Sequence, residues 1–136
     1  MQAVIALHGD LGSGKTTFAR HLLQALGVAG SIKSPTYTIV EPYAVGAFSV
    51  WHFDFYRFND PQEWEDAGFR DIFASPGLKL IEWPEKAAAM LPVADLDLRL
   101  TIALGTQDSQ SRSETARLVT IGANTLLGAA LAGACT

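Results

Sequence analysis

The sequence predicts an α/β fold in three layers, with a mostly parallel sheet covered by helices on both sides. Apolar runs of strand length alternate along the chain with segments of helical pattern. Residues 4–7 and 80–81 are apolar at consecutive positions, which is typical of parallel strands buried on both faces. In addition, a glycine-rich segment over residues 9–16 lies between the first predicted strand and the first predicted helix. This order of strand, loop and helix is that of a phosphate-binding α/β unit.

In the first half of the chain, a strand over residues 3–7 is followed by a helix with Phe18, Leu22 and Leu26 on one face, which Gly27 ends. A hydroxyl-rich turn within residues 31–41 comes next. The apolar run 48–56 predicts a second strand. One helix is then predicted over residues 61–73, with Asp60 as its N-cap and Pro61 in its first turn.

In the second half, residues 78–83 predict a short buried strand, and residues 84–91 one short helix that Pro92 ends. Two late strands, 96–104 and 117–123, are joined by a polar loop over 105–114. Their alternating pattern favours an antiparallel hairpin at the C-terminal edge of the sheet. We expect one domain over residues 1–123 and a short C-terminal tail over 124–136, either a helix or a frayed end.

The composition fits one globular core in a reducing compartment. The chain has 136 residues, 49% of them hydrophobic and 18% charged, and a single cysteine, Cys135, which excludes an internal disulfide framework. We expect a cytoplasmic protein without a leader or a membrane partner, because no apolar stretch is long enough to cross a bilayer. The formal net charge of −4 argues against independent binding of nucleic acid. Any contact with RNA should therefore be indirect.

The segment Gly9-Asp10-Leu11-Gly12-Ser13-Gly14-Lys15-Thr16 matches the P-loop pattern at every fixed position. In such a loop, backbone N–H groups surround phosphate oxygens, the lysine reaches the β- and γ-phosphates, and the threonine hydroxyl can bind Mg²⁺. The helix that follows directs the positive end of its dipole to the same place. The residues predicted to bind nucleotide are Asp10, Leu11, Gly12, Ser13, Gly14, Lys15, Thr16 and Thr17.

Two acidic residues follow apolar strand residues and are candidates for the metal site. Asp54 ends the segment Trp51-His52-Phe53-Asp54, and Glu82 follows residues 80–81. Ligands of open α/β sheets collect at such strand ends. With Thr16, these carboxylates are predicted to hold Mg²⁺ and to act in catalysis. The alternatives are an Asp54–Arg57 pair and a solvated strand end at Glu82.

The turn Ser34-Pro35-Thr36-Tyr37-Thr38 is a third candidate, because a hydroxyl-rich loop at this point in the chain can sense the γ-phosphate and Mg²⁺ through a hydroxyl. A plain Ser-Pro turn before an edge strand explains it equally well. His21 and His52 are expected to be structural. The acidic run 60–71 is expected to be a solvated helix face, although Trp64 and Phe69 within it could also form a docking surface.

Four segments together resemble one family. They are GDLGSGKTT, SPTYTIVEPY, HFDFYR followed by DPQEWEDAGFRDIF, and LIEWPEKAAAMLP, in this order over about residues 4–104. This combination is similar to the TsaE (YjeE) family, the ATPases of bacterial threonylcarbamoyladenosine (t6A) modification of tRNA. The family pattern also has a strand and a helix ahead of the P-loop strand, whereas eight residues precede Gly9 here.

The resemblance implies a function and a role for each matching residue. Lys15 and Thr16 would bind phosphate and Mg²⁺, Asp54 and Glu82 would serve the metal and the attacking water, and Trp83 would lie beside them. Thr38 or its neighbours would form a switch-like turn. The protein would bind ATP, dock on a TsaB–TsaD complex and hydrolyse ATP to reset that complex, with low activity alone and contact with tRNA only through the complex.

Two other functions are compatible with a P-loop. One is a small-molecule kinase with Asp54 or Arg57 on the acceptor, and the other is a binding module that responds to nucleotide without needing turnover. Release of free phosphate without an acceptor indicates an ATPase, whereas transfer to a metabolite indicates a kinase.

Overall fold

The computed structural model describes residues 2–35, 37–102 and 117–134. It contains one sheet of six strands in the order β2-β3-β4-β1-β5-β6. The strands are β1 (Gln2–His8), β2 (Val40–Val45), β3 (Phe48–Asp54), β4 (Gly77–Glu82), β5 (Leu96–Ile102) and β6 (Arg117–Ala123). The helices are α1 (Lys15–Leu26), α2 (Pro61–Asp66), α3 (Phe69–Ala74) and α4 (Leu126–Ala134), and a short 3₁₀ helix covers Pro84–Ala87.

The middle of the sheet is parallel and both edges are antiparallel. β1 lies between β4 and β5 and runs parallel to both, and β3 runs parallel to β4. β2 pairs antiparallel with β3, and β6 pairs antiparallel with β5 along its full length. The predicted α/β fold with a C-terminal antiparallel edge pair is therefore confirmed.

Successive side chains along each strand point to opposite faces of the sheet, so the core forms two layers. On one face, Leu7, Leu80 and Leu98 pack against Ala19 of α1. On the other face, an aromatic cluster packs β3 and β4 against α2 and α3. Its buried members are Phe53, Phe55, Phe58, Trp64, Phe69 and Phe73. Trp64 and Phe69 are 4% and 2% exposed, so they belong to the core and not to a docking surface.

Two predicted helices differ from the structure. Asp60 caps the first of them as expected, since its carboxylate accepts a hydrogen bond from the Gln62 N–H at 3.0 Å. The predicted helix over 61–73 is nevertheless two helices, because Gly68 takes a left-handed conformation at φ 70° between α2 and α3. The predicted helix over 84–91 is regular only in the 3₁₀ turn Pro84–Ala87.

The chain after β6 forms a helix anchored by Asp95. The Asp95 carboxylate accepts the Val4 N–H at 2.8 Å and the Thr125 hydroxyl at 2.7 Å, so it connects β1 to the start of α4. Leu127 and Leu131 of α4 pack against the core. The predicted boundary at residue 123 stays a prediction, and the predicted loop over 105–114 lies outside the described residues. No helix in the described ranges is long and apolar enough to cross a membrane.

Replacing Gly128 with alanine is expected to destabilise the fold by about 1–3 kcal/mol, as overpacking does. Gly128 is buried in α4, and a Cβ there would overlap the carbonyl oxygen of Asp95. Gly133→Ala is the matched control, because a Cβ at that position meets nothing within 4 Å. We expect the control to stabilise the helix by up to about 1 kcal/mol. Urea unfolding of the two variants tests this, and equal stability would contradict the close packing of α4 on Asp95.

Candidate nucleotide site

The loop between β1 and α1 has the backbone geometry of an anion-binding loop. Gly9 adopts φ 150°, and a Cβ there would lie 2.6 Å from the Leu100 carbonyl oxygen, so a larger residue does not fit. Gly14 precedes α1 in a left-handed conformation at φ 102°. The Ser13 N–H bonds to the Asp10 carbonyl at 3.0 Å and tightens the turn. The free N–H groups at the start of α1 therefore face the cavity beside the loop.

The Lys15 amine lies at the centre of this loop. Lys15 is 5% exposed, and its Nζ donates to the carbonyl oxygens of Gly9 and Asp10, the latter at 3.1 Å. Nζ also lies 4.0 Å from the centre of the Trp83 ring. Burial lowers the pKa of the Lys15 amine, while the nearby Glu82 carboxylate opposes that shift.

The two predicted acids lie side by side opposite the loop. Asp54 and Glu82 are register partners at the carboxyl ends of β3 and β4, and their side chains point to the face covered by α1. Glu82 is 1% exposed, so the alternative of a solvated strand end is wrong. Asp54 accepts the Tyr56 N–H at 2.9 Å. No ion pair joins Asp54 to Arg57 among the described side chains, so that alternative is also wrong.

Glu82 has two hydrogen-bond donors. Its Oε1 accepts the Thr16 hydroxyl at 2.8 Å, and its Oε2 lies 2.6 Å from Nε2 of His52. The first bond connects the P-loop to β4 across 66 residues of sequence. The second places His52, which was expected to be structural, in contact with a predicted site residue.

Thr16, Asp54 and Glu82 together fit a magnesium ion. They offer hard oxygen ligands of the kind Mg²⁺ prefers. Burial raises the pKa of the Asp54 carboxyl, and the Glu82 charge acts in the same direction, so a cation between them would favour the ionised form. The described residues hold no group of three or more His, Cys, Asp or Glu side chains arranged around a metal. A P-loop metal needs no such group, because phosphates and water complete its coordination.

These residues line one cavity of about 410 Å³. Six of the predicted nucleotide-binding residues lie on its wall, together with Asp54 and Glu82. The six are Leu11, Gly12, Gly14, Lys15, Thr16 and Thr17. Asp10 and Ser13 instead line a second cavity next to β5. A P-loop, two carboxylates and a hydroxyl thus meet at the carboxyl end of a parallel sheet.

The sequence model of the family described as "Threonylcarbamoyl adenosine biosynthesis protein TsaE" matches residues 1–114. The chain belongs to the TsaE family. It is similar to the "tRNA threonylcarbamoyladenosine biosynthesis protein TsaE" of Haemophilus influenzae, with 50% identity over 93 residues, which are 68% of this chain and 59% of the relative. The protein of the same name from Bacillus subtilis is 39% identical over 95 residues, 70% of this chain and 59% of the relative.

The fold agrees with that family. The crystal structure of YdiB from Bacillus subtilis superimposes with a TM-score of 0.76 at 26% identity, covering 98% of this chain and 76% of YdiB. By comparison, the chain spans about three fifths of the length of the two curated TsaE relatives described above. The P-loop fold predicted from the sequence is confirmed.

Two arginines of this TsaE-family chain lie on the wall of the cavity that Lys15 also lines. Arg57 follows Asp54 by three residues, and its guanidinium carbon lies 4.9 Å from the centre of the Tyr37 ring. Arg117 begins β6, and its Nε donates to the Ser13 carbonyl at 2.9 Å. Sequence reasoning missed Arg117, because it lies 104 residues from Ser13 and only the pairing of β6 with β5 brings it to the loop.

Thr38 lies apart from the cavity. Its hydroxyl donates to Glu41 at 3.0 Å on the exposed side of the turn. The turn approaches the site through Tyr37, which is 85% exposed and holds its ring against Arg57. Thr36 lies outside the described residues, and the catalytic role predicted for Thr38 stays a prediction.

Trp83 lies beside the site, where the family resemblance places it. It adopts a left-handed conformation at φ 56°, which is uncommon for a bulky residue, directly after Glu82. Its ring packs against Tyr56 with ring centres 5.0 Å apart and also faces Lys15. The strained turn therefore places an aromatic face over the P-loop amine.

Proposed function

We propose that this chain binds ATP with Mg²⁺ and hydrolyses it in the service of t6A modification of tRNA. The observation that supports this best is the buried Glu82, whose carboxylate holds the Thr16 hydroxyl at 2.8 Å within the same cavity as Lys15. This combination joins a phosphate-binding loop to an acid that can orient a metal ligand and a water. The family membership supports the biological context.

Each group has a task in this reaction. The loop N–H groups and Lys15 bind the phosphates, and Thr16, Asp54 and Glu82 would hold Mg²⁺, which neutralises charge on the β- and γ-phosphates when bound. Glu82 orients the attacking water from the side of the sheet. Arg57 and Arg117 add positive charge to the cavity wall. Phosphoryl transfer depends chiefly on such positioning and charge.

The proposed partner is a TsaB–TsaD complex. Arg57 is held against the exposed Tyr37 ring in the turn, so a partner that moves this turn would also move a cation at the cavity. A cation brought to the γ-phosphate can accelerate hydrolysis by several orders of magnitude. We propose cytoplasmic function, low intrinsic activity, and contact with tRNA only through the complex, given the net charge of −4.

Adding purified TsaB–TsaD is expected to raise the rate of ATP hydrolysis by at least about tenfold, since a partner that orders the turn would bring a positive charge to the γ-phosphate. Release of inorganic phosphate is measured with the chain alone, with TsaB–TsaD alone and with both. Matched reactions with and without tRNA distinguish stimulation by the protein complex from stimulation by RNA. Equal turnover with and without the complex would contradict the proposal. Transfer of phosphate to a metabolite, with no release to water, would favour the kinase alternative.

A further inference from the structure

We propose that His52 is a positioning residue for Glu82 in the hydrolysis proposed above, on which this inference rests. Its role is to hold one carboxylate oxygen so that the other faces Thr16 and the phosphate end of the cavity. This role follows from the register of two neighbouring strands.

The register places His52 and Glu82 on the same face of the sheet. His52 pairs with Leu80 across β3 and β4, and Glu82 lies two residues further along β4. This diagonal relation brings long side chains on one face within reach of each other. Nε2 and Oε2 are 2.6 Å apart, and both side chains are only 2% exposed.

The pair fixes the direction of the carboxylate. An ionised carboxylate only accepts hydrogen bonds, so Nε2 of His52 is the donor. With Oε2 bound by His52 and Oε1 bound by Thr16, rotation of Glu82 would break one bond or leave a buried group without a partner. A residue that hydrogen-bonds to a metal ligand fixes the orientation of that ligand and changes its basicity.

The imidazole has no competing partner among the described residues. Its other nitrogen, Nδ1, is buried without a hydrogen-bond partner in that part of the chain. A purely structural buried histidine usually satisfies both nitrogens, because an unsatisfied polar atom is costly. The polar contact that the described structure gives this ring is therefore the one to Glu82.

A second histidine provides a matched control. Nε2 of His8 lies 2.6 Å from Asp97, the same distance as in the His52–Glu82 pair. His8 points to the opposite face of the sheet, away from α1, and lines a different cavity. Replacing it removes a histidine–carboxylate contact of equal length without touching the nucleotide cavity.

The test compares His52→Leu, His52→Gln and His8→Leu in the full chain. His52→Leu should lower kcat for ATP hydrolysis by roughly 10- to 100-fold, as loss of a residue that orients a ligand does, while the ATP dissociation constant changes less than about twofold. His52→Gln should recover most of kcat, because its side-chain N–H can reach Glu82. His8→Leu should keep the wild-type kcat.

A second measurement does not depend on turnover. The short hydrogen bond should give a downfield imidazole N–H proton in the NMR spectrum of the wild type, absent from His52→Leu and shifted in Glu82→Gln. Absence of this signal from the wild type would overturn the inference, as would wild-type kcat in a folded His52→Leu protein or equal losses in the Leu and Gln variants. An inactive wild-type chain that still shows the signal would instead overturn the proposed function, and the positioning role with it.

Discussion

Lys15→Ala is expected to weaken ATP binding by roughly 10- to 100-fold while leaving the fold intact, since a hydrogen bond to a charged group contributes about 1.5–3 kcal/mol. The Lys15 amine contacts the loop carbonyls of Gly9 and Asp10 and the Trp83 ring, and it packs in none of the apolar core clusters. Its loss therefore removes charge from the phosphate site and little packing.

Titration calorimetry with ATP and Mg²⁺ measures the effect. Lys86→Ala is the control, because Lys86 is an exposed lysine just beyond the site that does not line the cavity. Thermal unfolding of both variants shows whether the fold survives. Wild-type affinity and turnover in a folded Lys15→Ala protein would refute the assignment of this loop as a nucleotide site.

Glu82→Ala is expected to abolish Mg²⁺-dependent hydrolysis, a loss of roughly 10²–10⁴-fold in kcat, while sparing most of the affinity for nucleotide. A carboxylate that acts on the metal and the water stabilises the transition state more than the bound ground state. Asp54→Ala should weaken both binding and turnover.

Glu82→Ala also leaves the Thr16 hydroxyl and the His52 imidazole without their acceptor, at a cost of about 1–3 kcal/mol for the imidazole, which is buried. Glu82→Gln keeps the shape of the side chain and is the better-folded comparison. Single-turnover hydrolysis and nucleotide binding, measured on both variants, separate catalysis from stability. Normal hydrolysis by Glu82→Gln would transfer the role predicted for Glu82 to Asp54.

The parts of this site that depend on local sequence could be predicted. The strand, loop and helix around Lys15 occupy consecutive residues, so glycine spacing and apolar periodicity were sufficient. The closeness of Asp54 and Glu82 followed from the parallel sheet, because the carboxyl ends of neighbouring parallel strands meet at one edge. The burial of Glu82 could not be predicted in this way, because the sequence was equally compatible with a solvated strand end.

The parts that depend on register or on long-range pairing could not be predicted. The His52–Glu82 contact requires the exact offset between β3 and β4, and an offset of one residue would turn His52 to the other face. Arg117 reaches the loop only through the antiparallel pairing of β6. The break between α2 and α3 depends on the left-handed Gly68, a conformation that an isolated glycine in a helical pattern permits without requiring.

The hydrogen bond from Thr16 to Glu82 couples ligand binding to folding. It joins α1 to the end of β4, and β4 pairs directly with β1. The nucleotide site is therefore complete only when the centre of the sheet has formed. A ligand that binds only the folded state stabilises it by mass action, by about 2.7 kcal/mol at a concentration of 100 times Kd. Under the proposed function, occupancy of this site therefore acts on the whole folding equilibrium and not on the loop alone, and we expect the nucleotide concentration to be one of the variables that determine how much of the chain is folded.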